Sequence, residues 1–332
     1  MEESHLILHL FYEEPEGDRW IPLDRYPRRL IRRIVRGPRR PGGQERVFLN
    51  LKAGLRQLGV QYRENDFAYA RKHPEEPVGI IGKPHVLDLM DWKNPILFGA
   101  AVMSHPLADP GLLNRRPIRK ILVPGEWMRK MCEPYWGDMV EAWPVGIDTD
   151  LWCPVPAVEK EYDFLIYDKV RWEHDRYEKE LIVPIRSELR RQNLSFAEIR
   201  YGYYKEEVFH SLLKRCKAMI FLCEHETQGI AYQQALSMDV PILAWDRGGY
   251  WQDPAYYPHK VKFGPVSSVP YWDERCGVKC TGIGKFSQKL EEFIHRLNAG
   301  QLAPRDYVVE NLDLADKARE YLKIVQRLQA EA

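Results

Sequence analysis

Hydrophobic and polar residues alternate along the chain in a rhythm that predicts short buried strands separated by amphipathic helices. The clearest examples lie in the second half, where apolar runs at 163–167, 196–201, 218–222 and 240–244 are separated by segments with helical spacing. Short apolar runs of this kind are typical of parallel strands that are buried on both faces. The pattern therefore predicts an α/β fold in which helices wind around parallel sheets.

The first half of the chain follows the same pattern less regularly. The turn-rich stretch 143–154 breaks the rhythm, and we interpret it as a domain junction. With 332 residues the chain is long enough for two domains, which we place at 1–146 and 147–304, followed by a terminal helical segment at 305–332. Strands are expected in the first half at 5–11, 60–63, 77–81, 95–102 and 118–123, and helices at 45–58, 84–90 and 126–133.

Charge is balanced over the whole chain but not along it. The net charge is +1, from 49 basic and 48 acidic residues, which argues against a general nucleic-acid binder. Residues 25–46 hold nine arginines against one glutamate, a net +8 that leaves −7 for the rest. Apolar residues at helical spacing predict a short basic amphipathic helix that rests on an anionic membrane. The alternative is a flexible loop that binds an anionic acceptor. The arginines of this surface are Arg28, Arg29, Arg32, Arg33 and Arg36.

The sequence does not predict a metal site or a membrane span. Of the six cysteines only Cys276 and Cys280 are close, and a zinc site usually needs a second such pair. Asp148 and Asp150 lie in the turn-rich junction, where Asp is a common turn former. The chain begins without the basic segment of a signal peptide, and its longest apolar run is too short to cross a bilayer. We therefore expect a cytoplasmic protein without a cofactor, with peripheral attachment to the inner face of the membrane as an option.

The segment 223–244 carries the most chemical information. A buried strand ends at Cys223, a polar loop with Glu224 and Glu226 follows, and Gly229 opens a helix. A helix that begins beside the carboxyl end of a strand points free N–H groups into the crevice, which suits a phosphate. The Glu226 carboxylate can accept hydrogen bonds from hydroxyl groups. Together these features predict a site for a phosphorylated polyol.

This segment resembles the donor-binding signature of the GT-B glycosyltransferases, in particular the retaining, family 4-like group related to glycogen and sucrose synthases. Glu226 matches the first acid of the signature, whereas Gln234 stands where the family has a second acid that holds the ribose hydroxyls. Gly42 and Gly43 resemble the glycine loop on the acceptor side. In the same order along the chain, 121–129, 144–154 and 305–328 resemble the last strand and helix of the first domain, the interdomain linker and the terminal helix.

The resemblance implies two doubly wound, Rossmann-like domains that face a cleft, with the terminal helix packing back on the first domain. It assigns to Lys169 and Arg171 the role of neutralising the negative charge of the leaving diphosphate. It also places His105 against the donor sugar. The remaining donor-binding residues would be Tyr203 and Tyr204 for the base, Gln234 for the ribose, and Glu226, Thr227, Gln228, Gly229 and Ile230 for the sugar and phosphate.

The implied function is transfer of a sugar from a nucleotide-diphosphate donor, without a metal and with retention. The acceptor stays open between a glycan, a lipid-linked molecule and a small molecule. One alternative is a nucleotide-sugar epimerase of the same fold, which needs only the donor. The other is a non-catalytic scaffold that binds lipid or nucleic acid through the arginine segment, and the missing second acid at position 234 favours it.

Overall fold

The computed structural model describes residues 7–13, 18–36, 41–100 and 104–331. The chain forms two compact units. Unit 1 consists of Met1–Val123, Cys132–Trp143 and Lys317–Ala332, and unit 2 consists of Pro124–Met131 and Pro144–Asp316. The chain therefore leaves unit 1 briefly at 124–131 and again after residue 143, and it returns to unit 1 at Lys317.

Unit 1 is built on a six-stranded parallel sheet with the strand order β2-β1-β3-β4-β5-β6. Most of its strands are only three or four residues long, and the residues of β1, β3 and β4 are buried throughout. Along the chain the elements are β1 (Leu8–Phe11), α1 (Arg25–Arg36), α2 (Gly43–Gln57), β2 (Tyr62–Glu64), α3 (Phe67–Lys72), β3 (Val78–Ile80), β4 (Ile96–Phe98), α4 (Leu112–Arg115), β5 (Ile118–Val123), α5 (Glu126–Trp136) and β6 (Val140–Ala142). The first half of α5, up to Met131, belongs to unit 2.

Unit 2 is built on a five-stranded parallel sheet with the strand order β11-β10-β9-β7-β8. Its core lies on both faces of the sheet, because alternate residues of β7 enter two different apolar clusters. The elements are β7 (Tyr162–Asp168), α6 (His174–Tyr177), α7 (Val183–Arg191), β8 (Phe196–Arg200), α8 (Glu206–Arg215), β9 (Cys216–Leu222), α9 (Ile230–Ser237), β10 (Ile242–Trp245), β11 (Gly277–Cys280), α10 (Phe286–Asn298) and α11 (Pro304–Leu312). The last helix, α12 (Leu314–Ala330), begins in unit 2 and belongs to unit 1 from Lys317 onward.

Residues 317–330 of α12 pack within unit 1. A Cβ on Gly79 of β3 would lie 2.1 Å from the Tyr321 hydroxyl, so this glycine allows the helix to approach the strand. The Trp143 indole N–H donates to the Lys317 carbonyl at 3.0 Å, and its ring lies 5.1 Å from that of Tyr321. The terminal helix thus completes the core of unit 1, as the resemblance implied.

The structure also corrects several predicted elements. The expected helix at 84–90 is a 3₁₀ turn, Pro84–Asp88. The helical segment expected between the strands at 163–167 and 196–201 is divided by a π turn, Glu178–Ile182, that separates α6 from α7. The strand expected at 95–102 pairs only over Ile96–Phe98, and its last residues, like the start of the strand expected at 5–11, lie outside the described residues.

Candidate active site

The order of strands in unit 2 defines where a ligand can bind. From β7 the chain moves to one neighbour, β8, and then crosses to the other, β9. In open α/β sheets ligands bind at the carboxyl ends of the strands where the winding reverses in this way. The loops at this point are the one after β7, with Lys169 and Arg171, and the one after β9, with Glu224 and Glu226.

An ion pair joins these two loops. The Lys169 ammonium group donates to Oε1 of Glu226, and the two side chains are only 13% and 11% exposed. The ammonium nitrogen also lies 4.5 Å from the centre of the Tyr201 ring. Burial is the largest single influence and works against the charged form of Lys169, but attraction to Glu226, Cys223 and Tyr201, together with the hydrogen bond to Glu226, outweighs it and raises the pKa of the lysine. Lys169 is therefore a permanent cation at neutral pH.

The backbone of Glu226 is fixed on both sides. Its N–H donates to the Ser267 carbonyl at 2.9 Å, and its own carbonyl accepts from the Trp127 indole at 2.7 Å. The next residue, Thr227, has its carbonyl oxygen 2.5 Å from where a Cβ on Gly125 would lie. Only a glycine leaves room for this approach. The backbone that carries the Glu226 carboxylate is thus held at a defined position in the loop after β9.

Glu224 organises the loop that follows β7. Its carboxylate is fully buried and accepts hydrogen bonds from the backbone N–H groups of Arg171, at 2.9 and 3.1 Å, and Trp172, at 2.9 Å. Burial raises the pKa of Glu224 against the opposing effect of these hydrogen bonds. These partners lie more than fifty positions away along the chain, so the sequence alone predicted no role for Glu224.

His225 is a neutral ring inside a cationic environment. Burial, followed by the charges of Arg171, Arg247 and Lys169, lowers the pKa of His225 to about 3. Its Nε2 accepts from the Gln252 N–H at 3.2 Å, as only an unprotonated nitrogen can. The three cations therefore converge on the loop after β9, which makes this edge of the sheet suited to an anion.

Sequence reasoning missed Arg247 among these cations. It follows β10, the strand next to β9, and precedes Gly248 and Gly249, which both have positive φ. One guanidinium nitrogen donates to the Tyr177 hydroxyl at 2.8 Å. Its position in the sequence could have indicated it, because Arg247 follows the apolar strand β10 by two residues and β10 pairs with β9.

A cavity of about 210 Å³ lies at the carboxyl ends of β7 and β8. Two arginines and Lys169 line it, with Asp168 as the acid at its edge. The Asp168 carboxylate is occupied, since it accepts from the Val170 N–H at 3.0 Å and lies 2.7 Å from Nε2 of His174. The lining residues are Asp168, Lys169, Val170, Arg171, Arg200, Tyr201 and Tyr203.

The two tyrosines predicted to stack on the base differ in their surroundings. Tyr203 is 81% exposed at the cavity, with the Arg200 guanidinium 5.4 Å from its ring centre. Tyr204 is directed into the unit, where its hydroxyl bonds that of Tyr167 and its ring lies 5.6 Å from that of Phe209. Of the two, Tyr203 offers an accessible ring face.

The helix α9 places the remaining signature residues. Gly229 precedes it with φ of +85°, and a Cβ there would lie 2.1 Å from the Tyr232 ring, so the turn into the helix requires glycine. Thr227 and Ile230 are half-buried in this turn. Gln234 is only 6% exposed, and its side chain makes no hydrogen bond with any described residue.

The side chain of Gln228 is already hydrogen-bonded within unit 2, and its predicted contact with the donor stays a prediction. Its amide group donates to the Val145 carbonyl at 2.7 Å and accepts from the Val145 N–H at 3.1 Å. It also donates to the side-chain carbonyl oxygen of Gln233 at 3.0 Å. The side chain is therefore committed to holding the segment after residue 143 against the signature loop.

The other predicted residues belong to unit 1. His105 is buried, its Nδ1 accepts from the Leu107 N–H at 3.1 Å at the start of a 3₁₀ turn, and burial lowers its pKa. Its contact with a donor sugar stays a prediction. Gly42 and Gly43 begin α2 in open space. Arg28, Arg29 and Arg32 lie on α1, whereas the side chains of Arg33 and Arg36 lie outside the described residues.

Unit 1 also holds a group of potential metal ligands. Among the described residues, ligand atoms at metal-binding spacing occur at His73, Glu75 and Glu76 of unit 1. In the same part of the chain, no helix has both the length and the apolar content to cross a membrane.

Comparison with known proteins identifies the fold. No protein-family model matches the chain, and no curated protein matches its sequence. Among solved structures, AviGT4, a glycosyltransferase involved in avilamycin A biosynthesis, is 16% identical, with 98% of this chain and 99% of that one covered and a TM-score of 0.56. Sucrose-phosphate synthase from Thermosynechococcus elongatus is 10% identical, with coverage of 88% and 94% and a TM-score of 0.56.

A third similar structure belongs to a longer chain, of which only 57% is covered. A point mutant of S. aureus TarM, solved with fondaparinux, alpha-GlcNAc-glycerol and UDP, is 12% identical, with 78% of this chain and 57% of that one covered and a TM-score of 0.53. At these identities the likeness shows the fold. The chain has the two-sheet α/β fold of the GT-B glycosyltransferases, which confirms the fold class that the sequence predicted.

Proposed function

We propose that the protein is a glycosyltransferase that moves a sugar from a nucleotide-diphosphate donor to an acceptor. The observation that carries this proposal is the buried pair of Lys169 and Glu226 at the point where the winding of the second sheet reverses. A cation and an acid at this position provide the two groups that a sugar diphosphate needs, one for its phosphates and one for its hydroxyls.

The donor diphosphate would exchange partners with the ion pair. When a diphosphate binds, the Lys169 ammonium group turns from Glu226 toward the phosphate oxygens, and the Glu226 carboxylate becomes free to accept hydrogen bonds from the sugar. As the bond between the sugar and the phosphate breaks, negative charge grows on the leaving diphosphate. Lys169 and Arg171, with the N–H groups at the start of α9, stabilise that charge. Because the pKa of Lys169 is raised, it acts as a fixed charge and not as a proton donor.

The nucleoside part of the donor would bind beside this centre. The buried side chain of Gln234, which makes no hydrogen bond with a described residue, has an amide available for the ribose hydroxyls. The exposed ring of Tyr203 at the cavity offers a stacking surface for the base. Gln228, which is bonded to Val145, supports the loop.

The proposal includes a metal-independent and retaining reaction. Cationic side chains and helix N–H groups supply the positive field that a metal would otherwise give. Transfer should therefore proceed at the same rate when EDTA is added, and a loss of activity that Mg²⁺ or Mn²⁺ restores would contradict this part. We propose that the anomeric configuration of the sugar is retained, because segment 223–244 resembles that of the retaining group. Determining the anomeric configuration of the product tests this.

We also propose that the enzyme works in the cytoplasm, at the inner face of a membrane. The net +8 of residues 25–46 supports attraction to anionic lipid. The acceptor would then be a lipid-linked molecule, a glycan or a small molecule within reach of that surface.

Calorimetry against a panel of nucleotide sugars tests the function, with UDP-sugars first because TarM was solved with UDP. Binding of one donor with slow release of free nucleotide supports a transferase. Conversion of the sugar without release of nucleotide would indicate the epimerase instead. If no nucleotide or nucleotide sugar binds, the proposal is wrong and the non-catalytic scaffold remains.

A further inference from the structure

The helix α1 turns its apolar face outward. Leu30, Ile31, Ile34 and Val35 are 60%, 59%, 74% and 74% exposed. A surface helix of a globular protein normally directs such residues to the core and its charges to water. In α1 the apolar residues face the solvent instead, so the exposed surface of this helix is largely apolar.

The arginines occupy the more protected side. The side chain of Arg28 is 11% exposed and that of Arg25 is 32% exposed. Arg29 and Arg32 are half-buried, and both take part in interactions within the chain. Around a helix of 3.6 residues per turn, these four positions centre on the side opposite the four apolar residues.

The residues before α1 extend the apolar face. Trp20, Ile21 and Leu23 are 76%, 67% and 61% exposed. The turn that presents them is ordered by Asp24, whose carboxylate accepts from the N–H groups of Arg19 and Trp20, each at 3.0 Å, and lies 3.2 Å from the Arg28 guanidinium. We define the α1 surface as the seven exposed residues Trp20, Ile21, Leu23, Leu30, Ile31, Ile34 and Val35.

We propose that the α1 surface inserts into the headgroup region of an anionic phospholipid bilayer. The inference deepens the proposed membrane location and does not depend on glycosyl transfer. Charge selects the partner, because residues 25–46 carry +8 while the rest of the chain carries −7, so an anionic bilayer attracts this segment and repels the remainder. The 12-residue helix is about 18 Å long, too short to span a bilayer and suited to lie flat in its surface.

The proposal assigns different roles to the two faces. Long-range attraction by the arginines brings the helix to the bilayer, and this attraction weakens as salt screens it. Insertion of the apolar residues then supplies most of the binding, which salt does not weaken. If the helix bound only through its arginines, its membrane binding would be lost at high salt.

Flotation of the full chain with vesicles tests the proposal. The vesicles are an equimolar mixture of phosphatidylglycerol and phosphatidylcholine, with pure phosphatidylcholine for comparison. Replacing two apolar residues with a good helix former, in the double variant Leu30→Gln and Ile34→Gln, should lower the partition constant roughly 30-fold or more. The matched control is Val183→Gln, an apolar residue of α7 that is 45% exposed, which should leave flotation unchanged.

A second double variant separates insertion from charge. Arg29→Gln with Arg32→Gln should weaken flotation by only a few-fold, because two of many charges are removed and the apolar face is intact. Raising the salt concentration should remove most of this difference from the wild type. Subtracting the tryptophan fluorescence of the Trp20→Phe variant from that of the wild type isolates the emission of Trp20. This emission should shift to the blue when vesicles are added, since the exposed Trp20 indole enters an apolar layer.

Three results would overturn the proposal. The first is a wild-type protein that does not float with anionic vesicles. The second is equal flotation of the Leu30→Gln, Ile34→Gln variant, checked as folded by circular dichroism. The third is self-association of the wild type without vesicle binding that the same variant abolishes, because the α1 surface would then join two copies of the chain. Nucleotide binding should stay unchanged in all of these variants, so failure here is distinct from failure of the proposed transfer.

Discussion

Positive charge is concentrated in two regions of the molecule that are built in opposite ways. At the candidate active site a single buried ammonium group, that of Lys169, faces a single carboxylate and is held between two strand ends. On α1 several arginines share one side of a surface helix. In the first region each group has a defined partner and position, so one substitution should have a large effect. In the second region the charge acts collectively, so single substitutions should matter little.

The largest effect is expected at Glu226. In Glu226→Gln the sugar loses a charged acceptor and Lys169 loses its partner, so donor turnover should fall at least about 100-fold. The matched control is Glu207→Gln, an exposed glutamate at the start of α8. Steady-state release of free nucleotide from the donor gives both rates. Full activity in Glu226→Ala would remove this residue from the site.

Glu224 should affect stability more than chemistry. In Glu224→Ala the N–H groups of Arg171 and Trp172 lose their buried acceptor, so the free energy of unfolding should fall by about 3 kcal/mol. Urea denaturation measures the change, with exposed Glu291→Ala on α10 as the control. If the unfolding midpoints of both variants matched that of the wild type, the carboxylate would not hold the loop.

His225 gives the active-site unit a predicted dependence on pH. Its pKa is lowered to about 3 in the folded protein from an ordinary value of 6.5, so between these values the unfolded chain binds a proton that the folded chain does not. Stability should therefore fall with decreasing pH by roughly 1.4 kcal/mol per pH unit from this group. The slope should be shallower by that amount in His225→Gln, measured by urea denaturation from neutral pH to about pH 5. Parallel slopes would contradict the burial of a neutral ring.

The smallest effect on the donor site is expected from α1. The double variant Arg29→Gln and Arg32→Gln should bind nucleotide with an affinity within about twofold of the wild type, because neither arginine lines the cavity at the carboxyl ends of β7 and β8. Calorimetry at physiological salt measures it. A tenfold loss would mean that the two cationic regions act on the same ligand.

Local patterns predicted the parts of the fold that depend on local physics. The strands of unit 2 are continuous apolar runs, and the loops that follow β7 and β9 could be paired because the ends of parallel strands meet at one edge. The short strands β6 and β11 were missed, since Val140–Ala142 and Gly277–Cys280 have too few apolar residues to form a pattern.

Long-range contacts set the limit of that prediction. Glu224 accepts hydrogen bonds from N–H groups more than fifty residues away, and the side chain of Gln228 is hydrogen-bonded to the backbone of Val145, 83 residues away. The periodicity of α1 showed that it has two faces, but the sequence does not say which face meets the protein. Only the packed structure showed that the apolar face is the exposed one.

The most direct test of the account is the affinity of the wild type and of Lys169→Met for nucleoside diphosphates, measured by isothermal titration calorimetry. The variant loses the cation assigned to the phosphates and leaves Glu226 unpaired, so the best-bound diphosphate should bind roughly 30-fold or more weakly. The double variant Lys169→Met and Glu226→Gln, which leaves no unpaired buried charge, should still bind weakly. Lys205→Met, an exposed lysine just before α8, should bind like the wild type. Equal affinity in the Lys169 variants, or a wild type that binds no nucleoside diphosphate, would contradict the central claim.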